Sequence, residues 1–233
     1  MGAALFSNAL QMTKPINEVS LIAGADDAGI ARWTADRLRP IAGRESETIA
    51  VPGGSTPFPI FEHLVQSDLD FTRFSIFPTD DRVVPSDHPA ANTGKIAAIF
   101  EPAGAYVGDL SELALAPRTF GEVNFDLVWL GMGADGHIAS LFPNTDPQAD
   151  DPDPIRRITP DPLPPEAPFD RVTLTIPSLL KTRQLMFVIR GAEKLAVFEA
   201  AMRAEHNLPV ARLLHAAKAQ NDAGAKIAIT CFT

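Results

Sequence analysis

The stretch LGMGADGHIASLFP, residues 130–143, holds the pair of side chains best suited to chemistry, Asp135 and His137 on either side of Gly136. Imidazole is the side chain whose ordinary protonation change falls near neutral pH, and a neighbouring carboxylate can orient it and stabilise its charged form. The pair suits proton exchange; taken singly, it could also be a capping aspartate beside a hydrogen-bonded structural histidine. The same letters also spell G-x-G-x-x-G over Gly131, Gly133 and Gly136, the dinucleotide fingerprint. A dinucleotide cradle needs a helix directly after the motif and an acidic residue about twenty residues further on for the ribose. Here the chain reaches Pro143 at once and enters a proline-rich run, and Asp135 would repel a pyrophosphate. The glycines read as a tight turn presenting two functional side chains, and a dinucleotide oxidoreductase is disfavoured.

Three further stretches carry groups suited to an anion or to acid–base work. In TIAVPGGSTPFPIF, residues 48–61, a strand runs into Gly53, Gly54 and Ser55, and Pro57 suits a first helical turn. Glycines let backbone approach a ligand, and a helix N-terminus offers free N–H groups to an anion. In FSIFPTDDRVVPSDHPAANTG, residues 74–94, a buried strand delivers Asp80, Asp81 and Arg82 to what reads as a loop. Guanidinium is a planar donor fork matched to phosphate. Either carboxylate could orient Arg82 or exchange protons, and the sequence does not choose between them. His88 reads as a loop residue. In MFVIRGAEKLAVFEAA, residues 186–201, Lys194 lies in a first helical turn, where the macrodipole disfavours a cation unless an anion is near. Taken singly, each stretch could equally be a capped turn or a solvated charge run.

These loops need strands and helices behind them. Strands are expected at Glu47–Val51, Phe74–Phe77, Phe125–Leu130, Ile155–Ile158, Arg171–Ile176, Leu185–Ile189 and Ile227–Phe232. Helices are expected over Ile22–Leu38, with Ile30, Trp33 and Leu38 facing inward, and over Pro57–Val65, Asn92–Phe100 and Ala192–Ala204. The alternation predicts an α/β fold, a three-layer sandwich with a mostly parallel sheet, whose ligands bind beyond the carboxyl ends of strands. Residues 1–233 read as a single domain, with the Pro- and Asp-rich run 147–168 as a surface excursion that cannot be one long helix.

Composition narrows the partners. The net charge of −9 argues against nucleic acid, so any anion must be held by a local cluster of donors. No apolar run reaches membrane-span length, and the first residues lack a signal peptide's basic start. Gly2 is a weak acylation signal. A single cysteine, Cys231, excludes an internal disulfide and a cysteine-based zinc site, and it reads as core. A cytoplasmic location is expected. The oligomeric state stays open, with a monomer favoured.

VPGGSTP, DDRVVP with the downstream AANTG, FDLVWLGMGADGHIASLFP, and RVTLTIPSLL followed by IRGAEK occur in an order and spacing that resemble the 6-phosphogluconolactonase family. The resemblance implies a Rossmann-like fold shared with glucosamine-6-phosphate deaminases. It implies hydrolysis of 6-phosphoglucono-δ-lactone to 6-phosphogluconate in the pentose phosphate pathway, with no metal and no cofactor. It makes His137 the general base with Asp135 beside it, and places the family's D-E-R motif on Asp80, Asp81 and Arg82. It assigns the phosphate to Arg82, Lys194, Ser55 and the Gly53–Gly54 backbone, and matches Asn92 to the asparagine after the D-E-R loop. Two positions depart from the family: Asp81 stands for glutamate and Ile138 for threonine. The deaminases carry a catalytic glutamate after the shared histidine, whereas ASLFP brings no carboxylate until Asp146. A deaminase-like isomerase and a non-catalytic sugar-phosphate sensor remain the alternatives.

Overall fold

The computed structural model describes residues 19–39, 45–115, 120–121, 123–163, 165 and 168–233; Gly2 lies outside them. A seven-stranded sheet contains β1 (Val19–Ile22), β2 (Glu47–Val51), β3 (Phe74–Pro78), β5 (Tyr106–Val107), β6 (Leu127–Leu130), β9 (Gln184–Val188) and β10 (Ala228–Phe232). Its spatial order is β1-β10-β9-β6-β2-β3-β5, and all neighbours are parallel.

Alternate residues of the strands feed two cores. Ile49, Ile76, Leu127, Trp129 and Met186 pack on one face against α1 (Asp27–Leu38), α2 (Pro57–Leu64) and α3 (Asn92–Phe100). Ala50, Phe77, Val128, Leu130 and Phe187 pack on the other against α4 (Ala192–Met202) and α5 (Pro209–Asp222). Burial on both faces is why these strands read as continuous apolar runs rather than alternating ones. The expected three-layer α/β/α arrangement is the observed one.

Some expectations need correction. Ile22 ends a strand, not a helix: it pairs with Phe232, Gly24 then turns at φ 72°, and the Asp26 carboxylate accepts the Gly29 N–H at 2.7 Å to start α1. Helix α5 was not anticipated, although Pro209 at its start and buried Val210, Leu213, Leu214 and Ala217 carry a helical period. Asp80–Arg82 is not a loop. It is strand β4 of a second, antiparallel sheet ordered β4-β8-β7, with β8 at Arg171–Leu174 and β7 at Ile155–Ile158. The expected strand Arg171–Ile176 stops at Leu174 because Ile176 opens a short helix, Ile176–Leu179. Strand β8 thus lies between Asp80–Arg82 and Ile155–Ile158, the part of the proline-rich run that is a strand.

The chain order reverses between β2 and β6: from β2 it runs outward through β3 and β5, then returns on the other side through β6 and β9. Such a reversal leaves a crevice beyond the carboxyl ends of the two central strands. The segments after β2, β3, β6 and β9 all open there.

Candidate active site

A cleft of about 310 Å³ occupies that crevice, and its walls include Gly53, Gly54, Ser55, Asp80, Arg82, Asn92, His137 and Lys194. The residues picked out from the sequence are thus gathered in one place. Two are not in the cleft wall: Asp135, which contacts the His137 ring, and Asp81, which is buried beneath the start of α3.

The loop after β6 is held from within. The Gly133 N–H donates to the His137 carbonyl at 3.0 Å, and the Gly136 N–H donates to the Gly133 carbonyl at 3.0 Å. Val210 of α5 donates its N–H to the Gly136 carbonyl at 3.1 Å, fixing the turn to a helix. The turn brings Asp135 Oδ1 to 2.6 Å from His137 Nδ1. A carboxylate can only accept, so Nδ1 carries the proton and Nε2 of the neutral ring keeps its lone pair. Phe142 packs on the ring with centroids 4.9 Å apart, which limits its rotation.

Only Gly133 of the first two motif glycines is forced. A Cβ there would lie 2.2 Å from His137 Cε1, whereas one at Gly131 meets nothing closer than Pro52 Cβ at 3.9 Å. Glycine at 133 is the space that the imidazole occupies. Past the histidine, Ile138 is fully buried, so this departure from the family serves the core. Ala139 sits in the left-handed region at φ 48°, a strained setting for a side chain, and the chain then turns Ser140 inward.

Opposite, the D-D-R triplet divides its work. The buried Asp81 carboxylate accepts the backbone N–H of Arg82 at 2.7 Å, of Asn92 at 2.6 Å and of Thr93 at 2.7 Å, with the Thr93 hydroxyl also at 2.7 Å. It caps α3, whose first N–H groups would otherwise lack partners. That contact needs only the short side chain. Neither aspartate carboxylate orients the Arg82 guanidinium; Asn92 does, its Oδ1 accepting from Nη1 at 2.5 Å while its Nδ2 donates to the Asp80 carbonyl at 2.8 Å. Gly53 must be glycine because a Cβ would fall 2.0 Å from Asn92 Oδ1. Arg82 Nε is buried without a partner, and Lys194 makes no ion pair among the described residues.

Asp80 accepts a hydrogen bond from the Ser140 hydroxyl. Burial pushes its carboxyl above the usual range; the Ser140 bond and the charges of Arg82 and His137 oppose that rise. Sequence reasoning missed two contributors. Arg190, which enters the wall from the end of β9, is tethered to Asp27 at 3.0 Å. A basic residue just beyond a strand's carboxyl end was the available signal. Ser140 offered no local signal, since its partner is far away in sequence. His88 is a loop residue as expected, accepting the Ala90 N–H at 3.0 Å.

A sequence model described as glucosamine-6-phosphate isomerases/6-phosphogluconolactonase matches residues 27–105 and 101–222. The chain belongs to this family. The 6-phosphogluconolactonase of Pseudomonas aeruginosa is 32% identical over 208 residues, covering 81% of this chain and 86% of that protein. That of Mesorhizobium japonicum is 32% identical over 209 residues, covering 81% and 85%. A solved 6-phosphogluconolactonase from Shewanella baltica superposes with a TM-score of 0.75 at 23% identity, over 94% of this chain and 100% of that one. At that identity the likeness speaks for the fold. No helix among the described residues is long and apolar enough to cross a membrane.

Proposed function

We propose that the chain hydrolyses 6-phosphoglucono-δ-lactone to 6-phosphogluconate. One observation carries the reading: an imidazole whose Nε2 lone pair is fixed by Asp135 shares a cleft with uncommitted cations at a helix N-terminus. The phosphate docks on Arg82, Lys194, Ser55 and the N–H groups after Gly54, with Arg190 at the edge. Those donors let a chain of net charge −9 attract a dianion. Binding energy at this remote group then positions the lactone ring at the catalytic loop.

His137 Nε2 takes a proton from water as the water oxygen attacks the lactone carbonyl carbon. A backbone N–H of this loop other than those of Gly133, Gly136 and His137, which are donated within it, receives the oxyanion. The carbonyl re-forms as the ring C–O bond breaks, and Nε2–H returns its proton to the departing ring oxygen. Asp80, in the same cleft wall, offsets the charge of the imidazolium that exists between these steps when it is ionised, and Asp135 holds the ring. A deaminase needs a carboxylate working beside the histidine. The first one after it, Asp146, is on the surface and paired with Arg212 at 2.5 Å.

The test is initial-rate hydrolysis of the 6-phosphorylated lactone and of its unphosphorylated counterpart, each against its spontaneous rate. The phosphorylated lactone should be preferred by at least about 100-fold in kcat/KM, roughly 2.7 kcal/mol of phosphate contacts. Equal rates would remove the phosphate pocket, and ammonia release from glucosamine 6-phosphate would favour the deaminase.

A further inference from the structure

Asp80 and Ser140 lie on segments 60 residues apart, yet their side chains are hydrogen-bonded. Ser140 is 1% exposed, and its single hydroxyl proton goes to the Asp80 carboxylate. Its placement is fixed twice. The left-handed turn at Ala139 points it inward, and its own N–H donates to Thr173 Oγ1 at 3.2 Å. Thr173 is fully buried and spends its hydroxyl proton on the Leu174 carbonyl at 3.1 Å, which leaves a lone pair for Ser140. Thr173 is also the residue directly opposite Asp80 in the β4–β8 pairing. One buried threonine therefore lies across from the strand residue that carries the carboxylate and holds the hydroxyl-bearing segment through its side chain.

We propose that Ser140, braced by Thr173, is a positioning residue that ties the loop carrying His137 to Asp80, keeping that carboxylate ionised in the cleft wall it shares with the imidazole. The inference rests on reading the cleft as a lactone hydrolase site. Ser140 itself has no role at the reacting atoms. Its contribution is a charge-assisted donor to a carboxylate that burial disfavours in its ionised form. Without the hydroxyl, Asp80 ionises at higher pH and this part of the cleft wall is neutral over more of the working range.

The test is the pH profile of kcat/KM for Ser140→Ala beside the wild type. The limb that follows Asp80 ionisation should move up by about one pH unit or more, the worth of a hydrogen bond to a charged group. KM for the phosphorylated lactone should stay within about 3-fold, since the phosphate donors are untouched. A profile lowered uniformly, with the limb in place, would overturn the proposal, because a loss of packing alone acts in that way. Thr173→Val should move the limb in the same direction and Thr173→Ser should restore it; failure of the serine to restore it would also count against the idea. In the Asp80→Asn background, Ser140→Ala should have almost no further effect on kcat, and a full multiplicative loss would place Ser140's influence elsewhere. Titration of the Asp80 carboxyl by carbon NMR in wild type and Ser140→Ala reads the same coupling without turnover. An upward displacement there supports the proposal even if the lactone is not the substrate, and no displacement refutes it.

Discussion

Gly133→Ala isolates the geometry of the imidazole from everything else in the cleft. A Cβ at this position would fall 2.2 Å from His137 Cε1, 2.3 Å from Nδ1 and 2.6 Å from Asp135 Oδ1. Carbon atoms in contact settle at about 3.5–4.0 Å, so the ring and its carboxylate must retreat by roughly 1 Å or more. A catalytic group misplaced by about 1 Å loses on the order of 100-fold in rate, or about 2.7 kcal/mol of barrier. The backbone at Gly133 lies outside the left-handed region, so alanine is compatible with it and slightly reduces the entropy of the unfolded chain. The variant should therefore lose about 100-fold in kcat while melting within ~3 °C of wild type. Lactone hydrolysis rates and a thermal melt decide it, with Gly131→Ala as the control that leaves the His137–Asp135 contact intact. A folded Gly133→Ala protein with wild-type turnover would refute the placement of the base.

Three other expectations concern the walls of the site and the core. Asp81→Ala removes the acceptor of the α3 N–H groups and leaves buried donors bare, so unfolding free energy in denaturant should fall by about 3 kcal/mol; a loss under about 1 kcal/mol would contradict its capping role. Asp80→Asn should slow turnover yet raise the melting temperature at pH 7 by about 2–4 °C. The sign follows from burial: a carboxyl raised in the fold costs stability as pH rises from its unfolded value through its folded value, so the gain should vanish below about pH 4. The Cys231 thiol is buried and pushed up to about 12, so a thiol reagent at pH 8 should label the native protein only through unfolding, and rapid labelling would show that the β10 core is open.

What the sequence disclosed and what it withheld differ in range. Asp135 and His137 are two residues apart on one turn, so their pairing was legible from spacing. Strands such as Glu47–Val51 in the main sheet and Ile155–Ile158 at the edge of the small one were legible from their β-branched residues, and Asn92–Phe100 from its helical period. The Arg82–Asn92 contact, the capping by Asp81 and the Ser140–Asp80 bond all depend on how β4 registers against β8 and how the loop after β6 crosses it. Nothing local encodes that register. Short polar triplets such as Asp80–Arg82 also read as loop because a three-residue strand has no period to detect. The glycine-rich turn after β2 was found because glycine, serine and proline carry a backbone meaning of their own. Arg190 was passed over because a lone arginine does not.

The most direct measurement is turnover of the phosphorylated lactone by His137→Ala, paired with calorimetric binding of 6-phosphogluconate to the same variant. The ring contributes the proton-transferring atom but none of the phosphate donors. Its loss should lower kcat by about 100- to 10,000-fold, while the product still binds within about 3-fold of wild type. Turnover near the wild-type rate in a variant that binds product normally would remove His137 as the base and contradict the account.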